Sequence, residues 1–440
     1  MRGQGGNAEA RPLGVSLPSV ANTCAQGGCR TLVIMEPEVG GHHFALHVET
    51  LVANLSDASG RILVLTSVRH RYHSIIAAFQ ERWRGKASVQ FFEAPVFPGN
   101  PTPLGILHYQ FKQYAALRKV HKDLRLAAGS HVYLAQVTCP IPFALFGSAF
   151  GQTSYSTLYM HSPAALLVRS GWRARAGRLV KVWIMRRMLR DQRLQHMFYI
   201  NELTRPVLAA FPPDLRAKAV LLADCCHDMA GFDRSQARRD LGIDDTRFVL
   251  LAVGELTARK GVSRLLGAAA AVWSHGDVPL CLLVGGSSDR LSLSDRATLR
   301  QHAQTPARCL FFDGFQPTRQ LKLMFAASDA VWLAYEGFSE MSGVLMQSVE
   351  VGIPIIATAD GLIGYLANKY HLGPAIPGRS VARAVEAIEG LYRDHLEYAK
   401  YVRGCAEMKQ VYSDLPFGAT IATLLTQAVA TASASCSTTD

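Results

Sequence analysis

The chain has 440 residues, 49% of them hydrophobic and 18% charged, with a formal net charge of +12. That length accommodates two domains with separate cores, and that composition excludes a mostly disordered or fibrous chain. The positive balance calls for an anionic partner, so nucleic acid, a phospholipid surface and a phosphorylated ligand stay open on charge alone.

In chain order, residues 1–30 are rich in small residues, hold no apolar run long enough for a signal peptide, and read as a flexible N-terminal extension. Thr31 to Met35 reads as a strand and Gly40-Gly41 as a turn. Phe44, Val48, Leu51, Val52 and Leu55 then form the buried stripe of a helix. Further strands are expected at Arg61 to Thr66, Val89 to Phe92, His131 to Ala135 and Thr157 to Met160. Short apolar runs separated by helical patterns predict a parallel sheet covered on both faces, over 31–219. A second unit over 220–404 restarts the pattern after Pro212-Pro213 and a connecting segment from Cys225 to Asp233. Its strands are expected at Phe248 to Val253, Leu280 to Val284, Leu310 to Phe312, Ala330 to Leu333 and Pro354 to Ala357. Helices over 405–430 are expected to reach back toward the first domain, and 431–440 to form a flexible tail. The fold class is therefore α/β, with two Rossmann-like, doubly wound parallel-sheet domains facing a cleft.

The nine cysteines form no Cys-x-x-Cys pair and match no zinc spacing, so no metal site is expected. An odd number without a framework indicates a reducing compartment, and no stretch approaches eighteen apolar residues. Both point to a cytoplasmic protein.

Two turns carry the chemistry. Val253-Gly254-Glu255-Leu256-Thr257-Ala258-Arg259-Lys260-Gly261 runs from a strand through a glycine turn to a basic pair at a helix head. Ser342-Gly343-Val344-Leu345-Met346-Gln347-Ser348 opens a helix that ends at Gly352-Ile353-Pro354 before a buried strand. Each presents backbone N–H groups or cations to an anion, and two in one half of the chain suggest a nucleoside diphosphate. Glu36 and Glu38 flank Pro37 after the first strand; one of them is within reach of an acceptor, with solvent exposure the simpler expectation for both.

These motifs, with Gly40-Gly41 and His161-Ser162-Pro163, resemble the retaining family-4 glycosyltransferases of the GT-B fold (glycosyl transferases group 1), over about residues 31 to 425. The resemblance implies metal-independent transfer of a sugar from a UDP-, GDP- or ADP-linked donor to a carbohydrate or lipid-linked acceptor, with no cofactor. It places the donor in the second domain and the acceptor in the first, and suits polysaccharide or cell-envelope glycan synthesis. It assigns the donor diphosphate to Gly40, Gly41, Arg259, Lys260, Gly343 and Val344, and the reacting sugar to His161. The family's two glutamates, eight positions apart, fall on Ser339 and Gln347. Glu336 and Glu340 are the nearby carboxylates for the catalytic role, and Gln347 is left to reach the ribose through its amide. The usual arginine of the first turn is Glu255. His42 and His43 are weaker candidates, and a helix-opening histidine is more often simply solvated. A GT-B-fold binding or scaffolding subunit, or a sugar epimerase, are the alternatives.

One further segment stands out. Arg173, Arg175, Arg178, Lys181, Arg186 and Arg187 interleave with Trp172, Leu179, Val180 and Trp183, with no acidic residue between. Such a helix lies on an anionic membrane surface, on the inner face of the cell membrane for a cytoplasmic protein, or packs its tryptophans inward as a solvated helix. Nucleic acid is the weakest claimant, because zinc-finger, RNP and Gly-x-x-Gly patterns are missing.

Overall fold

The computed structural model describes residues 30–39, 43–56, 60–98, 102–160, 163, 172–225 and 228–434. The first sheet contains β1 (Thr31–Met35), β2 (Arg61–Ser67), β3 (Ala87–Phe92), β4 (His131–Leu134), β5 (Ser154–Leu158), β6 (Leu194–Tyr199) and β7 (Ala219–Leu221), in the order β3-β2-β1-β4-β5-β6-β7. The second contains β8 (Phe248–Val253), β9 (Leu280–Gly286), β10 (Cys309–Asp313), β11 (Ala330–Leu333), β12 (Ile355–Thr358) and β13 (Ala375–Ile376), in the order β10-β9-β8-β11-β12-β13. Every pairing in both sheets is parallel.

Parallel strands need crossover helices on both faces, so their side chains are buried on both sides. In β1, Leu32 and Ile34 enter one apolar cluster and Val33 and Met35 the other. Strand order reverses once in each sheet, between β1 and β4 and between β8 and β11. The loops leaving those strands diverge, and the crevice between them is where ligands of such sheets bind.

The C-terminal helices divide between the domains. His395–Ser413 packs on the Gly343–Val351 and Gly361–Tyr370 helices of the second domain. Phe417–Ala434 returns to the first, against the Glu49–Asn54 helix and beneath β4, β5 and β6. Between the two helices Ala223 donates its N–H to the Leu415 carbonyl.

Candidate active site

β8 ends at Val253, and Gly254 turns the chain at φ +104°. The turn closes at Gly261, where φ is +67° and a Cβ would lie 2.6 Å from the Ala334 carbonyl oxygen, so glycine is required. That approach seats the head of the Val262–His275 helix against the end of β11. The Trp332 indole donates to the Lys260 carbonyl at 3.0 Å, and Arg264 donates to the carbonyls of Ala334 and Gly378.

Lys260 Nζ donates to the Val253 carbonyl at 3.2 Å and to the Tyr335 hydroxyl at 2.5 Å, with the Tyr335 ring centroid 4.3 Å away. The Arg259 guanidinium lies 4.6 Å from the Phe338 ring centroid, and its carbonyl accepts the Glu336 N–H at 2.7 Å. Two cations are thereby fixed at the β8/β11 crevice. Glu255, at the position where the resemblance expects an arginine, pairs with Arg290 at 3.1 Å on the surface.

The chain leaving β11 continues into the Gly343–Val351 helix. The N–H groups of Leu345 and Met346 fold back to the Ser342 carbonyl. Those of Gly343 and Val344 have no such partner among the described residues and are the open donors of the first turn of the Gly343–Val351 helix, which carries no acidic residue in that turn. Glu336 is held by Arg379 at 2.9 Å. Glu340 accepts from Asn201 of the first domain at 3.3 Å, and burial raises its carboxyl above the ordinary range. Gln347 lies half-buried along the same helix.

At the β1/β4 crevice, Glu36 is buried, at 1% exposure, against the expectation of a solvated loop carboxylate. The reason is that its backbone continues the sheet past β1, its N–H reaching the Leu65 carbonyl at 2.9 Å. One carboxyl oxygen accepts the Glu38 N–H at 3.0 Å, and the other has no hydrogen-bond partner among the described residues. Burial pushes its pKa up to about 8, so it is mainly protonated at neutral pH. The Tyr133 hydroxyl and the Thr66 and Ser67 hydroxyls, on β4 and β2, are likewise buried without partners among the described residues. Glu38 pairs with Arg69 and, at 3.5 Å, with His70. A second group invisible to sequence spacing is His47, Asp224 and Cys225, whose ligand-type atoms lie within 4.8 Å of one another. His47 Nε2 and Asp224 Oδ1 are 3.2 Å apart although 177 positions separate them.

Gly40, Gly41, His42 and His161, and the side chains of His43 and Arg173, lie outside the described residues. The helix Trp172–Leu189 buries Ile184, Met185, Met188 and Leu189 and turns Leu179, Val180 and Trp183 outward, so its tryptophans do not pack inward. No helix among the described residues is long and apolar enough to cross a membrane.

Two parallel-sheet α/β domains, each with a crevice at its reversal of strand order, define the GT-B class. Residues 233–407 of this GT-B-fold chain match the family of glycosyl transferases group 1. Among curated relatives it is 31% identical over 164 residues to a D-inositol 3-phosphate glycosyltransferase of Rhodococcus erythropolis, 36% of each chain. It is 30% identical over 174 residues to one of Pseudarthrobacter chlorophenolicus, 38% of this chain and 40% of that one. The chain thus spans well under half the length of the curated relatives it matches. Solved structures are similar over nearly all of it. HepE of Anabaena in complex with UDP and glucose has a TM-score of 0.59 at 15% identity, over 92% of this chain and 100% of that one. Sucrose-phosphate synthase of Thermosynechococcus elongatus has 0.63 at 14%, over 91% and 100%. WaaG, a glycosyltransferase involved in lipopolysaccharide biosynthesis, has 0.59 at 14%, over 90% and 99%.

Proposed function

We propose that the chain transfers a sugar from a nucleotide-sugar to an acceptor bound by the first domain, with the donor diphosphate held at the β8/β11 crevice. The observation that carries this reading is that Lys260, following β8, and the first turn of the Gly343–Val351 helix, following β11, leave neighbouring strands of one sheet. Departure of the sugar builds negative charge on the diphosphate, and a fixed cation with oriented N–H groups stabilises that charge without reorganising. The same positive potential replaces a divalent metal, so transfer is metal-independent.

UDP is the donor nucleotide in this reading, supported by the likeness to HepE, whose structures hold UDP and UDP-glucose. Arg259, Gly40 and Gly41 assist at the diphosphate, and Gln347 meets the ribose through its amide. His161, Glu336 and Glu340 are the groups proposed to face the reacting sugar, with retention of configuration. The acceptor is a carbohydrate or a lipid-linked glycan of polysaccharide or cell-envelope synthesis, in the cytoplasm. A lipid-linked acceptor stays in its bilayer, which would bring the first domain to a membrane surface. A binding subunit without the chemistry is the second reading, favoured by Gln347 and by Glu255 being spent on Arg290.

The test is release of UDP from a panel of UDP-sugars with and without candidate acceptors, followed by NMR of the product's anomeric proton. UDP release that survives chelation and yields a retained anomer supports the proposal. Absence of both transfer and donor hydrolysis across the panel, from protein that binds UDP, favours the binding subunit.

A further inference from the structure

Three helices cover one face of the first sheet: Pro103–Leu124, Pro140–Phe146 and Trp172–Leu189. Their inner sides enter a single core through Tyr114, Leu117, Phe143, Ile184, Met185 and Met188. They pack side by side, with Arg187 donating to the Ala144 carbonyl at 3.3 Å and the Phe111 and Phe146 rings 6.1 Å apart. Their outer sides therefore form one surface. It exposes Phe111, Leu145, Phe146, Leu179, Val180 and Trp183, with Phe146 at 63%, Leu179 at 66% and Trp183 at 46%. Soluble proteins rarely leave so many large apolar side chains together in water.

The charges on the Trp172–Leu189 helix have one sign. Arg175 and Arg186 flank the Leu179–Trp183 stripe on one side and Arg187 on the other, at helical spacing. Among the described residues, no ion pair joins Arg175, Arg178, Arg186 or Arg187 to a carboxylate, and no acidic residue occurs between Trp172 and Leu189. An apolar centre edged by uncompensated cations is complementary to an interface with hydrocarbon below and anionic headgroups beside it. A second copy of the chain would bring the same cations face to face. A nucleic acid would find rings to stack on at Phe111, Phe146 and Trp183 but would leave Leu145, Leu179 and Val180 without an apolar partner.

We propose that this three-helix surface docks the protein on an anionic phospholipid bilayer, with Trp183, Leu179 and Phe146 entering the headgroup boundary. The inference deepens the transferase reading, on which it rests for its role: docking would present the first domain to a lipid-linked acceptor while the donor site stays in water.

Full-length protein is floated with vesicles of about 30% phosphatidylglycerol in phosphatidylcholine and with pure phosphatidylcholine vesicles, while UDP binding is followed by thermal shift in the same preparations. The expected result is binding to the anionic vesicles and little to the neutral ones, falling as salt rises. The variant Arg175→Gln/Arg178→Gln/Arg186→Gln/Arg187→Gln should lose roughly a hundredfold or more in partition coefficient, at roughly fivefold per cation. Leu179→Gln/Trp183→Gln should lose roughly tenfold or more through the apolar contribution. Both variants should keep the UDP shift of the parent, which shows that they are folded. Failure of the parent to bind anionic vesicles overturns the proposal, as does undiminished binding by both variants. Retention of an oligonucleotide duplex through the same arginines, without vesicle binding, also overturns it and assigns the surface to nucleic acid. Vesicle binding without any UDP shift leaves the docking surface standing and removes the transferase reading instead.

Discussion

Glu36 shows how a single residue's environment diverges from its sequence context. In sequence it is one of two carboxylates around a proline, in a stretch that looks solvated. In the fold its N–H extends the β1/β2 ladder, so the carboxyl is drawn beneath the strand ends at a crevice where ligands bind such sheets. The consequence for stability follows from linkage. An unfolded chain releases this proton near the ordinary 4.5, whereas the folded protein holds it up to about 8. Between those values the folded state binds more protons than the unfolded state. Stability contributed by the neutral carboxyl is therefore present below about 4.5 and is lost as pH rises toward 8. Glu36→Gln lacks that loss. Its melting temperature should rise relative to the parent between pH 5 and pH 9, by an amount equivalent to roughly a few kcal/mol. Parallel pH profiles for the two proteins would contradict the assignment.

At the scale of elements, the first turn of the Gly343–Val351 helix carries the anion-binding argument and can be tested without disturbing the helix. Ser342 precedes it in extended conformation, at φ −117° and ψ 121°, which a following proline accepts. Proline is favoured at the first helical position because the N–H it lacks has no intrahelical role. Gly343→Pro should leave the melting temperature of the unliganded protein within a few degrees. It should weaken UDP binding severalfold by removing one donor, as titration calorimetry would read. Unchanged affinity would mean that this N–H does not meet the diphosphate.

The same scale explains what sequence could supply. β1, β8 and β11 are continuous apolar runs between turn residues, and their limits are legible to the residue. β6, Leu-Gln-His-Met-Phe-Tyr, mixes polar with apolar residues and carries no such signal, and β13 is only two residues long. The placement of Lys260, Gly343 and Val344 at or beside helix heads was legible because turn signals are local. Tyr335, which fixes Lys260, and Asn201, which meets Glu340, depend on contacts across 75 and 139 positions. Spacing alone does not reveal such pairs. The outward tryptophans were legible as a stripe but not in direction, because one helix's periodicity does not say which side the sheet lies on.

At the scale of the whole molecule, buried polar contacts join the two domains. Glu202 is almost completely buried and accepts from Lys369 at 2.6 Å, from Tyr412 at 2.9 Å and from Tyr370 at 3.5 Å. It ties the segment after β6 to the helices of the second domain and of the C-terminal crossing. Glu202→Ala strands these donors and should cost about 2–4 kcal/mol in denaturant unfolding, the exposed side of Lys369 lowering the figure. A change below about 0.5 kcal/mol would show that the junction is held by apolar packing alone.

The proposed transfer reaction requires a nucleotide site between β8 and β11, and titration calorimetry with UDP, GDP and ADP on the parent and on Lys260→Ala tests it most directly. It predicts that UDP binds the parent with a single-site isotherm and that Lys260→Ala weakens this by roughly ten- to a hundredfold, the worth of one charge-assisted contact. Folded parent protein that binds none of the three nucleotides, or a Lys260→Ala variant that binds UDP as tightly as the parent, would contradict it.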